Sequence, residues 1–240
     1  MNCRGETEPD FSGYGKIIGH GKNICWGKDK KMEEGICYII GAGEFDYPKL
    51  KPKETDYIIG VDGGFEYLKN MKLTPNLVLG DFDSVKQSPL HSNLIRLAPE
   101  KDDTDMLAAL RQGMELGYRT FHIYGGLGGR ISHTIANFQC LVWLLKRGAK
   151  GFLFHKNVMI TAVRNGSITF GEEKKGYLSV FAFDGEAKGV TLKNLKYPLT
   201  DAVLGMDYPV GVSNEFLGVE SEVCVKEGVL LLVVEEVDGD

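Results

Sequence analysis

The chain has 240 residues, 43% hydrophobic and 25% charged, with a formal net charge of -5 at pH 7. That length suits one large domain or two small ones, and the composition is that of a soluble globular protein. The negative balance and the lack of a long basic run argue against a nucleic-acid surface, and no apolar cluster is long enough to cross a bilayer.

Residues 1–31 are Gly-rich and polar and read as a disordered or non-native tail, with Met32 as a second possible start. An ordered extension is the alternative, and composition does not separate the two. The tail is expected to be dispensable for activity. The five cysteines (Cys3, Cys25, Cys37, Cys140, Cys224) are scattered and form no C-x-x-C pair. This excludes a zinc framework and suits a reducing compartment, hence the cytoplasm.

From residue 36 apolar runs alternate with helical patterns. Strands are expected at 36–40, 57–61, 76–79, 93–97, 120–124 and 151–155. Helices are expected from about 64 to 71, from the acidic run at 102–105 to near Gly117, and from Ser132 to Arg147. Such alternation predicts an α/β layer with a mostly parallel sheet over residues 32–156. Beyond 157 the grammar changes to short β-rich runs, which predict an all-β sandwich or barrel to residue 240. There Arg164-Asn165-Gly166-Ser167 reads as a turn, and Lys226-Glu227-Gly228 as the tip of a hairpin.

Glycines and aspartates fall repeatedly where the α/β strands end, and open sheets bind ligands beyond those ends. Gly80-Asp81-Phe82-Asp83-Ser84 follows the third strand. Two carboxylates at i and i+2 project one way from extended backbone and repel unless a cation sits between them. Mg²⁺ suits such oxygens, while a plain turn is the competing explanation. Asp62, in Val61-Asp62-Gly63-Gly64, is either a ligand or a helix N-cap. Asp102, Asp103 and Asp105 exceed what a cap at Thr104 requires, and at least one of them is expected to face the site. Gly125-Gly126-Leu127-Gly128-Gly129-Arg130 offers backbone N–H groups and a guanidinium to an anion. It is neither a Walker A loop nor a G-x-G-x-x-G fingerprint. His133 and Asn137 stand four apart on the following helix. By residue chemistry alone, Val212-Ser213-Asn214-Glu215 is ordinary loop material.

In this order the motifs resemble the thiamine pyrophosphokinase family. Those that carry the likeness are Val-Asp-Gly-Gly at 61–64, Gly-Asp-Phe-Asp-Ser at 80–84 and Lys-Asp-Asp-Thr-Asp at 101–105, then Gly-Gly-Leu-Gly-Gly-Arg at 125–130 with His133 and Asn137. Lys-Tyr-Pro-Leu at 196–199 and Gly-Val-Ser-Asn-Glu at 211–215 complete it, so the likeness spans about 36–236. The resemblance implies an α/β catalytic domain, a thiamine-binding β-sandwich, and a homodimer with thiamine at the subunit interface. It implies transfer of pyrophosphate from ATP to the thiamine hydroxyl, with Mg²⁺. Asp62, Asp81, Asp83 and Asp105 would surround metal and phosphates, and one of them, Asp83 first, would take the hydroxyl proton. Gly126, Gly128, Gly129, Arg130, His133 and Asn137 would hold ATP, and Ser213 and Asn214 would contact thiamine.

One position departs from the pattern. The bacterial family shows Arg-Leu-Asp-His where this chain has Arg130-Ile131-Ser132-His133. Two other readings therefore stay open: a thiamine- or nucleotide-binding module impaired at Ser132, and a haloacid-dehalogenase-type phosphatase with Asp81 as nucleophile and Asp83 as acid/base.

Overall fold

A computed structural model of the chain describes residues 18–19, 34–47, 50–82, 91–98 and 103–237. The chain divides into two compact units, 22–162 and 1–21 with 163–240. No helix among the described residues is long and apolar enough to cross a membrane.

The only described residues in the stretch read as a tail form β1 (Ile18–Gly19), which belongs with the strand-rich unit. The α/β unit then runs β2 (Ile36–Ile40), β3 (Tyr57–Val61), α1 (Gly64–Asn70), β4 (Leu77–Gly80), β5 (Leu94–Arg96), α2 (Asp105–Glu115), β6 (Thr120–Tyr124), α3 (Ile131–Leu145) and β7 (Lys150–His155). Its central strands are buried almost throughout, as expected for a parallel sheet covered on both faces. Strand pairing is parallel in the spatial order β7-β6-β2-β3-β4-β5. The chain therefore steps from β2 outward to β5, then returns to the other side of β2 for β6 and β7. That reversal makes the carboxyl ends of β2 and β6 the topological switch point. In the middle of β6, burial pushes the pKa of His122 down to about 4, among the rings of Tyr38, Phe152 and Phe154.

β8 (Val158–Phe170) pairs antiparallel with β7 over its first residues, and the division between units falls inside it, after Ala162. The strand-rich unit continues with β9 (Gly176–Ala182), β10 (Ala187–Lys193), β11 (Leu199–Leu204), β12 (Asn214–Glu215) and β13 (Ser221–Glu236). β1 joins it by pairing Ile18 with Ser167 of β8. β13 pairs with β10 over its first half and with β9 over its second.

Two local expectations are corrected here. The stretch 226–228 is not a hairpin tip, because β13 is one continuous strand through it. Likewise 164–167 is not a turn, because β8 passes through it unbroken. Asn165 has φ 46° and Gly228 φ 109°, and Gly228 N–H donates to Asn165 Oδ1 at 2.9 Å. Residues that would reverse an isolated chain here kink two long strands at one place, as bulge residues do.

Candidate active site

The carboxyl ends of the parallel strands enclose a cavity of about 510 Å³. Its wall includes Asp62, Asp81, Thr104 and Asp105 on one side, and Gly126, Gly129, Arg130, His133 and Asn137 on the other.

Asp62 follows β3 with φ 48°, a left-handed conformation that aspartate tolerates better than most residues. Its N–H donates to Leu79 O at 2.9 Å, which fixes it against β4. The N-cap of α1 is Gly63, with no side-chain cap bond, so capping does not account for Asp62. Its Oδ1 is shut off from solvent. Asp81 follows β4 directly. Phe82 is buried with φ 58°, an uncommon strain for a bulky residue, so the backbone between Asp81 and Asp83 is not extended. Asp83 and Asp102 lie outside the described residues.

At α2 the Thr104 hydroxyl accepts from Leu107 N–H at 3.2 Å and supplies the cap. Asp105, the first helical residue, is left to face the cavity. Carboxylate oxygens of Asp62, Asp81 and Asp105 all lie within 4.8 Å of one another. Cation ligands around one octahedral ion stand about 3–4 Å apart, so this spacing fits a hard divalent ion such as Mg²⁺.

The opposite wall is built from backbone. Gly125 and Gly128 have φ of 63° and 76°, which bend the loop after β6. Asn137 is buried on α3 and its Nδ2 donates to Gly126 O at 2.6 Å, tying loop to helix. Gly128 is absent from the lining and turns toward Glu44, whose side chain would collide with a Cβ there. α3 begins at Ile131 after an extended Arg130, with no acidic residue in its first turn. An uncompensated helix N-terminus beside Arg130 favours an anion. Ser132 is exposed and not among the lining residues.

Gly41, Ala42 and Gly43, just past the strand expected at 36–40, also line the cavity. Gly41, Gly43 and Glu44 N–H groups donate to Tyr124, Gly125 and Leu127 carbonyls, each at 2.8 Å. The two loops at the switch point are thus zipped together, and a Cβ on Gly43 would stand 2.6 Å from Gly125 O. Glycines at the end of a central strand were the available signal.

Ser213 and Asn214 lie in the strand-rich unit. Asn214 is buried, and its Oδ1 accepts from Tyr197 N–H and Glu215 N–H, both at 2.9 Å. Its Nδ2 donates to Tyr197 O at 2.7 Å, so the two distant motifs around 197 and 214 are joined by one amide. Ser213 is exposed at φ 56°, with its N–H on Ser179 Oγ at 3.0 Å.

Comparison with known proteins points to one family. Residues 49–153 match the family model described as thiamin pyrophosphokinase, catalytic domain, and 167–230 the one described as thiamin pyrophosphokinase, vitamin B1 binding domain. Thiamine pyrophosphokinase of Bacillus subtilis is 29% identical over 183 residues, covering 73% of this chain and 85% of its own. The crystal structure of thiamine pyrophosphokinase from that organism superposes with TM-score 0.77 at 25% identity, over 85% of this chain and 100% of the other. A thiamin pyrophosphokinase family protein from Enterococcus faecalis gives TM-score 0.73 at 26% identity, with the same coverages.

Proposed function

The chain belongs to the thiamin pyrophosphokinase family, and from that premise we propose that it moves the terminal pyrophosphate of ATP onto the hydroxyl of thiamine. The observation that carries this reading is one cavity with three convergent carboxylates facing a glycine loop and a helix N-terminus. A metal cluster alone would suit many hydrolases. Paired with an anion-binding wall, it suits a polyphosphate held at both ends.

In the reaction a bond forms between the hydroxyl oxygen and the β-phosphorus, and the bond from that phosphorus to the α,β-bridging oxygen breaks. AMP departs with the electron pair, and the hydroxyl proton is lost. Such transfers rest on positioning and charge neutralisation more than on covalent chemistry. Arg130, His133 and the N–H groups of the glycine loop would orient the phosphates. Asn137 would act through Gly126, keeping the loop in place. Asp62, Asp81 and Asp105 would hold Mg²⁺, which when bound supplies positive charge to phosphate oxygens. The proton is assigned to Asp83, on its place in the sequence two residues past Asp81.

Thiamine is assigned to the surface around Ser213, with Asn214 shaping it by fixing Tyr197. We further assign a homodimer with thiamine at the subunit interface. Its support is the apolar surface of the strand-rich unit, where Tyr208 is 71% exposed and Met206 65%, with Tyr197, Val210, Val212 and Leu217 also exposed. Exposed apolar groups at this density favour association. Sedimentation equilibrium at micromolar protein is expected to give twice the chain mass, and a monomer would refute it.

Incubation with thiamine, ATP and Mg²⁺ should yield AMP and thiamine diphosphate in equal amounts. ADP or free phosphate as the stoichiometric product would overturn the reading. Neither the phosphatase nor the impaired module gains support from the comparisons. Ser132 faces away from the wall formed by Arg130, His133, Thr134 and Asn137, as a 100° step per residue requires. Ser132→Asp is therefore expected to change turnover by less than about twofold. A carboxylate in that first turn should add about 0.3–1 kcal/mol of stability through the helix dipole. A rise in turnover above roughly tenfold would instead identify Ser132 as a lesion.

A further inference from the structure

The start of α2 carries a charge arrangement that the transfer reaction does not by itself explain. Asp103, just before the Thr104 cap, lines the cavity. Arg111, two turns along the helix, reaches back to it with Nε 2.9 Å from Asp103 Oδ2, and Nη2 donates to Oδ1 at 3.4 Å. The two side chains are 49% and 34% exposed. The Arg111 guanidinium also lies over the Trp143 ring of α3, 5.5 Å from its centroid. Arg147 lies over the same ring at 4.1 Å. Arg111 is thus held between a cavity carboxylate and an aromatic face on the neighbouring helix.

Ion pairs this exposed contribute little to stability, so location is the informative feature. The same wall already gathers Asp62, Asp81 and Asp105. An Asp103 carboxylate left without its arginine would repel the phosphates of a nucleoside triphosphate and attract any free divalent ion. We propose that Arg111 is a positioning residue for the nucleotide: it keeps Asp103 in a neutral pair, so that Asp103 adds no net negative charge where the triphosphate docks. This rests on the activity proposed above. Trp143 serves it by restricting where the guanidinium can go, through a cation–π contact.

Arg111→Met keeps a stem against Trp143 and removes the charge. KM for ATP is expected to rise roughly three- to tenfold, with kcat changed by less than about twofold. Mn²⁺ binding without nucleotide, followed by calorimetry, should tighten by a similar factor, because Asp103 is released to the cation. Adding Asp103→Asn should return both quantities to within about twofold of wild type, and Arg111→Lys should stay near wild type. A merely structural arginine would give a lower Tm, additive losses in the double variant and unchanged Mn²⁺ affinity, and that pattern would overturn the proposal. So would an unchanged KM in Arg111→Met when the wild type forms AMP. A wild type that forms no AMP counts against the activity instead, and the Mn²⁺ titrations still decide whether Arg111 neutralises Asp103.

Discussion

Asp81→Asn is expected to slow pyrophosphoryl transfer by about 10²- to 10⁴-fold while leaving the fold as stable as before, or more so. Its carboxylate oxygen shares a 4.8 Å sphere with those of Asp62 and Asp105. Charges at about that separation repel by about 3–4 kcal/mol per pair at an effective dielectric of 20. A cation bound among them would offset that repulsion. Removing one charge relieves the repulsion, whereas a carboxylate kept for structure would cost stability when removed. Two measurements separate these roles: AMP formation under saturating thiamine and ATP, and thermal unfolding with and without Mg²⁺. Wild type should gain Tm with Mg²⁺, because a ligand of the native state shifts unfolding by mass action. Asp81→Asn should lose most of that gain. Turnover near wild type, or a clear loss of Tm without metal, would remove Asp81 from the site.

Much of the α/β unit is legible in the sequence because its strands, β7 excepted, are short runs closed by glycine, proline or aspartate. The walls of the cavity are less so. Gly41-Ala42-Gly43 looks like any strand end until β2 is known to lie beside β6, a pairing some eighty residues apart that no local pattern encodes. Only that adjacency zips the 41–44 loop to the carbonyls of Tyr124, Gly125 and Leu127. Asp62 stood between ligand and cap on sequence, and the choice depended on Gly63 starting α1 without a side-chain cap bond. In the strand-rich unit, residues suited to turns were misread for a physical reason. Positive φ serves a bulge as well as a reversal, and Asn165 is matched to Gly228 across 63 residues of chain. Asn214 shows the same limit: its spacing from Tyr197 gives no sign that one buried amide would join them.

Gly80 is a position where a single added methyl group should cost turnover far more than stability. On sequence it ends a strand ahead of two aspartates, and any small residue would seem to serve. In the structure a Cβ at Gly80 would overlap Asp62 Oδ1 and stand 2.9 Å from Asp62 Cγ and 3.1 Å from its backbone nitrogen. That nitrogen cannot retreat cheaply, since it donates to Leu79 O at 2.9 Å at the end of the β3–β4 pairing. The carboxylate is what must yield, and it is a member of the cation-binding set. Gly80→Ala is thus expected to lower turnover about 10²-fold or more and to raise the Mg²⁺ concentration needed for half-maximal rate. Overpacking at one methyl should cost only about 1–3 kcal/mol of stability. Adding Asp62→Ala removes the atoms that collide, so the double variant should recover most of that stability and be no less active than Asp62→Ala alone. Such non-additivity is the mark of two residues acting through one contact. A Gly80→Ala protein with ordinary turnover and metal dependence would mean that Asp62 can leave its place without consequence, and the three-carboxylate site would have to be redrawn around Asp81 and Asp105.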